Sequence, residues 1–224
     1  MTTRLELHNL CRRRLGDLTT PAGWSDLQIN QWINDAIAEY SVHFPRQLNT
    51  TIETTAGSRV YDLPAGFQNL VSVEYPTGED PPEYLQRLDY QHPDFWQNEG
   101  YYDFIKRDAS DSSQLLISEK PAAGETITVE YLGDHDFPDE DADVITVPDR
   151  NLELIVLFVR WTCILELASE EQKNPDPTTL NMNTLELNQF RAERAYKSKL
   201  EEIKIAESAS GTVHWRMDEN DRVY

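Results

Sequence analysis

The sequence predicts an α+β protein: a helical scaffold formed by N- and C-terminal helices, an inserted antiparallel β-sandwich or barrel subdomain, and an extended C-terminal tail. Three observations carry this. Apolar residues recur at helical spacing over roughly the first 44 residues and again from Pro148 to about Ala206. The stretch between them alternates with period two and is punctuated by glycines at 57, 66, 78, 100 and 124. The closing stretch, Thr212 to Tyr224, has too few apolar residues to fold alone. The expected division is therefore 1–46 for the first helices, 47–146 for the β insert, 147–207 for the second helices and 208–224 for the tail.

Leu5, Leu7, Leu10, Cys11 and Leu15 fit a short first helix stopped by Gly16 and the Thr19-Thr20-Pro21 turn. Ser25 opens a second, and its spacing to Gln28 is that of a capping box. Trp24, Ile29, Trp32, Ile33, Ala36, Ile37 and Tyr40 recur at three and four, and Phe44-Pro45 ends the stripe. From Gln47 the period becomes two. Thr50–Thr54, Arg59–Pro64, Leu70–Tyr75, Tyr101–Lys106, Leu115–Ser118 and Thr126–Tyr131 read as strands. Regular strands without intervening helices predict a sandwich or barrel.

Val147-Pro148-Asp149 is expected to start the next helix, proline being favoured in the first turn. Of the 18 residues from Asn151 to Ala168, 13 are apolar. A helix apolar on nearly every side is buried on nearly every side: it is central to the fold, or one face contacts another copy. The Asn174-Pro-Asp-Pro177 segment forces a loop. A last helix is expected from about Thr184 to Ala206, with Leu185, Ala192, Tyr196, Leu200 and Ile203 as its stripe. Ser208-Ala-Ser-Gly211 then releases the chain.

With 40 acidic against 20 basic residues the net charge is -20, which repels phosphate backbones and argues against a groove-reading DNA-binding protein. A wall that must not stick to passing DNA suits the same charge. Cys11 and Cys163 lack CxxC spacing and are read as two free thiols in a reducing cytoplasm. The start of the chain has no signal-type apolar run, so classical export is not expected. The longest apolar run, Leu154–Val159, is far short of the roughly 20 residues of a membrane span, so no membrane partner is expected.

No motif for catalysis, metal or cofactor emerges. The acidic connector Asp134–Asp143 lacks the central glycine and alternate ligands of a calcium loop, and Pro138 interrupts it; it reads as a solvated loop. His8, His43, His92, His135 and His214 have no close His or Cys partners of the zinc type. GxSxG and GxxxxGK[ST] are absent. With 40 acids a pair of carboxylates spaced for glycoside hydrolysis carries no specificity. The aromatics Tyr84, Tyr90, Phe95, Trp96, Tyr101 and Tyr102 suit either core plus protein interface or a sugar-stacking platform. The expectation is a non-enzyme without cofactor.

Three segments together resemble a bacteriophage head-to-tail adaptor. Trp24-Ser-Asp-Leu-Gln-Ile-Asn-Gln-Trp-Ile-Asn-Asp-Ala-Ile-Ala-Glu-Tyr40 is similar to the helix with which such chains begin. Tyr61-Asp-Leu-Pro64, Leu70-Val-Ser-Val-Glu-Tyr75 and Leu85-Gln-Arg-Leu88 are similar to their inserted β-domain. Val147 through Ala168, then Phe190-Arg-Ala-Glu-Arg-Ala-Tyr196, resemble their two C-terminal helices.

The resemblance implies a structural virion protein of the neck, assembled in the host cytoplasm. It would form a ring of commonly twelve copies beneath the portal protein, contact downstream tail or tail-completion proteins, and let DNA pass without specific binding. Leu154, Phe158, Trp161, Leu165, Tyr196 and Leu200 are then candidates for scaffold and subunit contacts. Glu186, Glu193, Glu201 and Glu202 are candidates for lining the channel. Val213, His214, Trp215, Arg216, Met217, Arg222 and Tyr224 are the candidates for portal binding. The alternative is a tail-associated carbohydrate- or receptor-binding module that uses the β-domain aromatics.

Overall fold

The computed structural model describes residues 1–17, 23–106, 113–173 and 182–210, among which four α-helices and seven β-strands form. The chain is α+β and divides into two compact units: Met1–Ala36 with the residues from Phe137 onward, and Ile37–Asp136 between them.

In the first unit, α1 (Arg4–Leu15) opens with a full capping box: the Thr3 hydroxyl accepts from the Glu6 N–H, and the Glu6 carboxylate accepts from the Thr3 N–H. Gly16 closes it at φ 75°, a left-handed conformation that any Cβ would strain. Leu7 and Cys11, one turn apart, are buried as α1 packs on α3. In α2 (Asp26–His43), the Ser25 and Gln28 side chains each accept the other's N–H, at 3.1 and 3.2 Å. Ile29, Trp32, Ile33, Ala36, Ile37 and Tyr40 are buried, as their spacing predicts. This single helix carries the chain from one unit into the other.

The second unit contains β1 (Arg46–Glu53), β2 (Val60–Asp62), β3 (Phe67–Glu74), β4 (Gln86–Arg87), β5 (Tyr101–Ile105), β6 (Gln114–Ile117) and β7 (Thr126–Gly133). They form a three-stranded sheet, β1-β7-β3, and a four-stranded sheet, β2-β6-β5-β4. Inward residues of both sheets share one core, in which Val73, Leu115, Ile117, Ile127 and Val129 are fully buried. Each such side chain stabilises by about 1.5–3 kcal/mol. Gly133 ends β7 where a Cβ would meet the Tyr131 ring at 3.0 Å, Leu48 at 3.1 Å and the Gly66 carbonyl at 3.3 Å.

Three details differ from the sequence expectation. The β4–β5 pair is parallel rather than antiparallel, because residues 88–100, which include a 3-10 turn at Pro93–Trp96, cross over before β5 begins. Pro148 does not sit inside the third helix; it caps a 3-10 turn, Asp149–Asn151, and α3 (Leu152–Lys173) follows. Helix α4 (Met182–Ser210) is longer than expected and runs through Ser208, the residue at which release was anticipated. Polar residues in its final turns do not stop it, since serine and alanine are tolerated in a helix and Gly211 lies beyond.

The acidic connector is a solvated loop as expected, with Asp136, Asp139, Glu140 and Asp141 exposed, and it is pinned as well. In the β unit, Asp134 accepts from the Gln68 amide at 2.6 Å and Asp136 pairs with Arg46 at 2.6 Å. In the helical unit, the Arg4 guanidinium donates to the Asp139 carbonyl and meets the Asp141 carboxylate at 2.8 Å. Asp143 accepts from the Asp139 and Glu140 N–H groups at 2.8 Å each. Individual carboxylates are thus held by separate donors. Among the described residues no group of three or more His, Cys, Asp or Glu could hold a metal ion.

Candidate interaction surface on the C-terminal helices

Helices α3 and α4 pack along each other. Leu154, Ile155, Val159 and Cys163 turn inward from α3, and Leu185, Ala192, Tyr196, Leu200 and Ile203 turn inward from α4. The six scaffold candidates split. Leu154, Tyr196 and Leu200 are buried within the chain, whereas Phe158, Trp161 and Leu165 are half-buried. Phe158, Trp161 and Tyr196 join as an aromatic triad: Trp161 stacks on Tyr196 at 5.7 Å, and Phe158 meets both edge-on at 5.6–5.8 Å. Such pairs add about 0.5–1.5 kcal/mol each beyond their buried area.

On another side of α3 lies a face that the other described residues leave only partly covered. Leu157 and Ile164 are half-buried, and Leu167 is 38% exposed. Leu157, Arg160 and Ile164 border a groove of about 280 Å³ whose other wall is Asn188, Arg191 and Ala195 of α4. Among the described residues, neither the Arg160 nor the Arg191 guanidinium has an ion pair or hydrogen bond. Two cations without ion pairs thus border an apolar floor in a chain of net charge -20. Sequence periodicity pointed to the apolar surplus of α3. It missed Arg160 and Arg191, because their lack of partners is set by tertiary packing.

The four channel candidates lie on α4, where Glu186, Glu201 and Glu202 are exposed and Glu193 is half-buried. Glu193 pairs with Lys197 at 2.6 Å, Glu202 with Lys199 at 3.0 Å and Glu201 with Lys204 at 3.1 Å. Helix α4 carries five carboxylates and five Lys or Arg in all, so its formal charge is balanced. The acid excess sits elsewhere: residues 37–136 hold 18 acidic and 6 basic side chains. The portal-binding candidates Val213, His214, Trp215, Arg216, Met217, Arg222 and Tyr224 lie outside the described residues, as do the Thr19-Thr20-Pro21 turn and the Asn174–Pro177 loop.

The β-domain aromatics divide between core and surface. Phe95 and Tyr102 are buried, and Tyr90 and Tyr101 are half-buried. Trp96 is 42% exposed, but the Arg59 guanidinium lies over its ring at 5.3 Å. The cation covers one of the two ring faces on which a sugar could stack. Tyr84, 59% exposed, is the most open of the six. The acids of this unit are not uniform either. Burial pushes the Glu119 carboxyl above its ordinary range, against the lowering effect of the Gly100 N–H it accepts.

A second feature the sequence did not announce is the joint between α1 and α2. The Arg12 guanidinium donates to Asp17 at 2.7 Å, to the Trp24 carbonyl at 3.0 Å, to Asp26 at 2.5 Å and to His8 Nε2 at 3.0 Å. His8 Nδ1 in turn bonds Asn30 Oδ1 at 2.8 Å. Hydrogen bonding to Arg12 holds the Asp26 carboxyl below the usual carboxylate range. The Trp32 indole N–H donates to Glu166 of α3 at 2.9 Å, tying α2 in as well. Cys11 and Cys163 are free and buried; burial raises their thiols to about 12 and about 11. Among the described residues no helix is long and apolar enough to cross a membrane.

The family model described as SU10 adaptor protein matches residues 2–216, nearly the whole chain. A search of curated proteins finds no match. A match over that span leaves neither the helical unit nor the β unit outside it, and the chain belongs to the SU10 adaptor protein family.

Proposed function

We propose that this chain is a non-catalytic head-to-tail adaptor that closes into a ring, commonly of twelve copies, beneath the phage portal. It joins the capsid to downstream tail proteins and encloses a channel through which DNA passes. The observation that carries the reading is the partly covered α3–α4 face, where half-buried leucine and isoleucine sit beside two arginines that form no ion pair among the described residues. An apolar face of that kind on a protein of an adaptor family suits contact with another protein. The neck of the virion, assembled in the host cytoplasm, is the corresponding location.

The half-buried Phe158, Trp161 and Leu165 are the scaffold candidates with surface left for such contact. The tail residues Val213, His214, Trp215, Arg216, Met217, Arg222 and Tyr224 are proposed to dock on the portal, with Trp215 as the principal anchor, since aromatic and arginine side chains dominate binding hot spots. A channel lined by Glu186, Glu193, Glu201 and Glu202 would present a nearly balanced helix to DNA, because α4 supplies as many cations as anions. Screening over roughly 8 Å at physiological salt limits any effect to charges close to the DNA path. Mass photometry or cryo-EM of the full-length protein mixed with its portal is expected to show a closed ring. A protein that stays monomeric and unbound beside the portal at micromolar concentration would refute the assignment.

A further inference from the structure

The α3–α4 groove has a counterpart on the same chain. Residues 78–84, Gly-Glu-Asp-Pro-Pro-Glu-Tyr, are exposed one after another between β3 and β4. Among the described residues the carboxylates of Glu79, Asp80 and Glu83 form no ion pair, and Tyr84 is 59% exposed. Both ends of the loop are fixed to the sheet. The Tyr75 N–H donates to the Glu83 carbonyl at 3.1 Å, the Leu85 N–H to the Val73 carbonyl at 2.9 Å, and the Gly78 N–H to Glu74 Oε1 at 3.1 Å.

We propose that the groove receives this loop from a second copy of the chain. Arg160 and Arg191 pair with its carboxylates, while Pro82 and Tyr84 cover the floor formed by Leu157 and Ile164. Charge decides the occupant. A groove lined by two guanidiniums is repelled by the same groove on another copy, which disfavours a two-fold contact through this face. The loop offers three unpaired acids and an exposed ring, the complement in both charge and polarity. Because groove and loop are different surfaces, the contact is head-to-tail, and repetition closes a ring when the rotation between copies allows it. This inference rests on the ring assignment above and names the surfaces that would build it.

The test uses the full-length protein mixed with its portal. Asn188→Cys on the groove wall and Pro82→Cys on the loop are combined in one chain and oxidised; the native Cys11 and Cys163 are buried. A ladder of covalent multimers is expected on a non-reducing gel, with no ladder from either single variant. Arg191→Glu alone and Glu83→Arg alone should each lower the oligomer fraction at least tenfold, and the two together should restore it. Thermal melts confirm that each variant folds. Oligomers that assemble without a ladder, or that tolerate Arg191→Glu undiminished, overturn the inference while leaving the ring assignment intact. Dimers from Asn188→Cys alone would show a two-fold contact and overturn it too. A wild-type protein that remains monomeric with its portal sinks both.

Discussion

Replacing Arg12 with methionine keeps most of the side-chain volume and removes the charge that joins α1 to α2. The Arg12 side chain is 14% exposed and that of Asp17 only 9%, whereas Asp26 is 77% exposed. The Asp26 contact is therefore solvent-screened and contributes at most about 1 kcal/mol. Its carboxyl is held low, so its share is present above the ordinary carboxylate pKa and fades as pH falls through the depressed folded value. The Asp17 contact decides the outcome. Stranding one partner of a buried pair costs about 3–5 kcal/mol. Asp17 still accepts from the Gly23 and Trp24 N–H groups at 2.7 and 3.2 Å, which lowers the expected loss to about 2–4 kcal/mol. For a chain of this size each kcal/mol shifts the melting midpoint by roughly 2–4 °C, so Arg12→Met should melt about 5–15 °C lower at pH 7. Calorimetry measures this. Adding Asp17→Asn should recover part of the loss, with a coupling above about 1 kcal/mol. A midpoint within about 1 °C of the wild type, or a coupling near zero, would refute the reasoning.

Three other outcomes are expected. Burial raises the Glu119 carboxyl, so its ionisation opposes folding and stability falls as pH rises from its unfolded pKa through its folded one. Glu119→Gln should therefore raise the midpoint at pH 7, with the gain vanishing below about pH 4, where the unfolded carboxyl also holds its proton; an equal gain at both pH values would contradict this. Cys11 and Cys163, buried and with thiols raised to about 12 and about 11, should resist a disulfide reagent at pH 8 in the folded protein and react fully in urea. Fast labelling without denaturant would show that the two helices open readily. Truncation after Ser210, the end of α4, should keep the wild-type melt and lose portal docking; undiminished docking would remove residues 211–224 from the role proposed for them.

Periodicity was enough to read the helices and most strands, because it reports which residues face a core. The stripe from Ile29 to Tyr40 is buried as spaced, and the Ser25–Gln28 capping box forms as written. Alternation also located β3, β5, β6 and β7, each within a few residues. It could not give the parallel β4–β5 pairing, which depends on the path of residues 88–100, nor the 3-10 turn that delays α3 to Leu152. The end of α4 was misplaced because Ser208-Ala-Ser is permissive of helix rather than breaking it. At the candidate surface, the apolar surplus of α3 was legible in its composition. The unpaired state of Arg160 and Arg191, and the fourfold engagement of Arg12, were not, since both depend on residues brought together from distant parts of the chain.

The central position of β7 governs how this protein is made. It lies between β1 and β3, and its first residue, Thr126, pairs with Glu53 while its last, Gly133, pairs with Arg46. At roughly 5–20 residues per second, β1 leaves the ribosome about 4–16 s before the strand that completes its ladder. During that interval β1 and β3 both present free hydrogen-bonding edges, the feature through which nascent chains pair with one another. Helix α1 waits longer still, because its partner α3 begins only at Leu152. Synthesis of this chain thus passes through a long stage in which neither unit can close. A cell producing many copies at once faces an aggregation hazard at that stage, while both edges are still open.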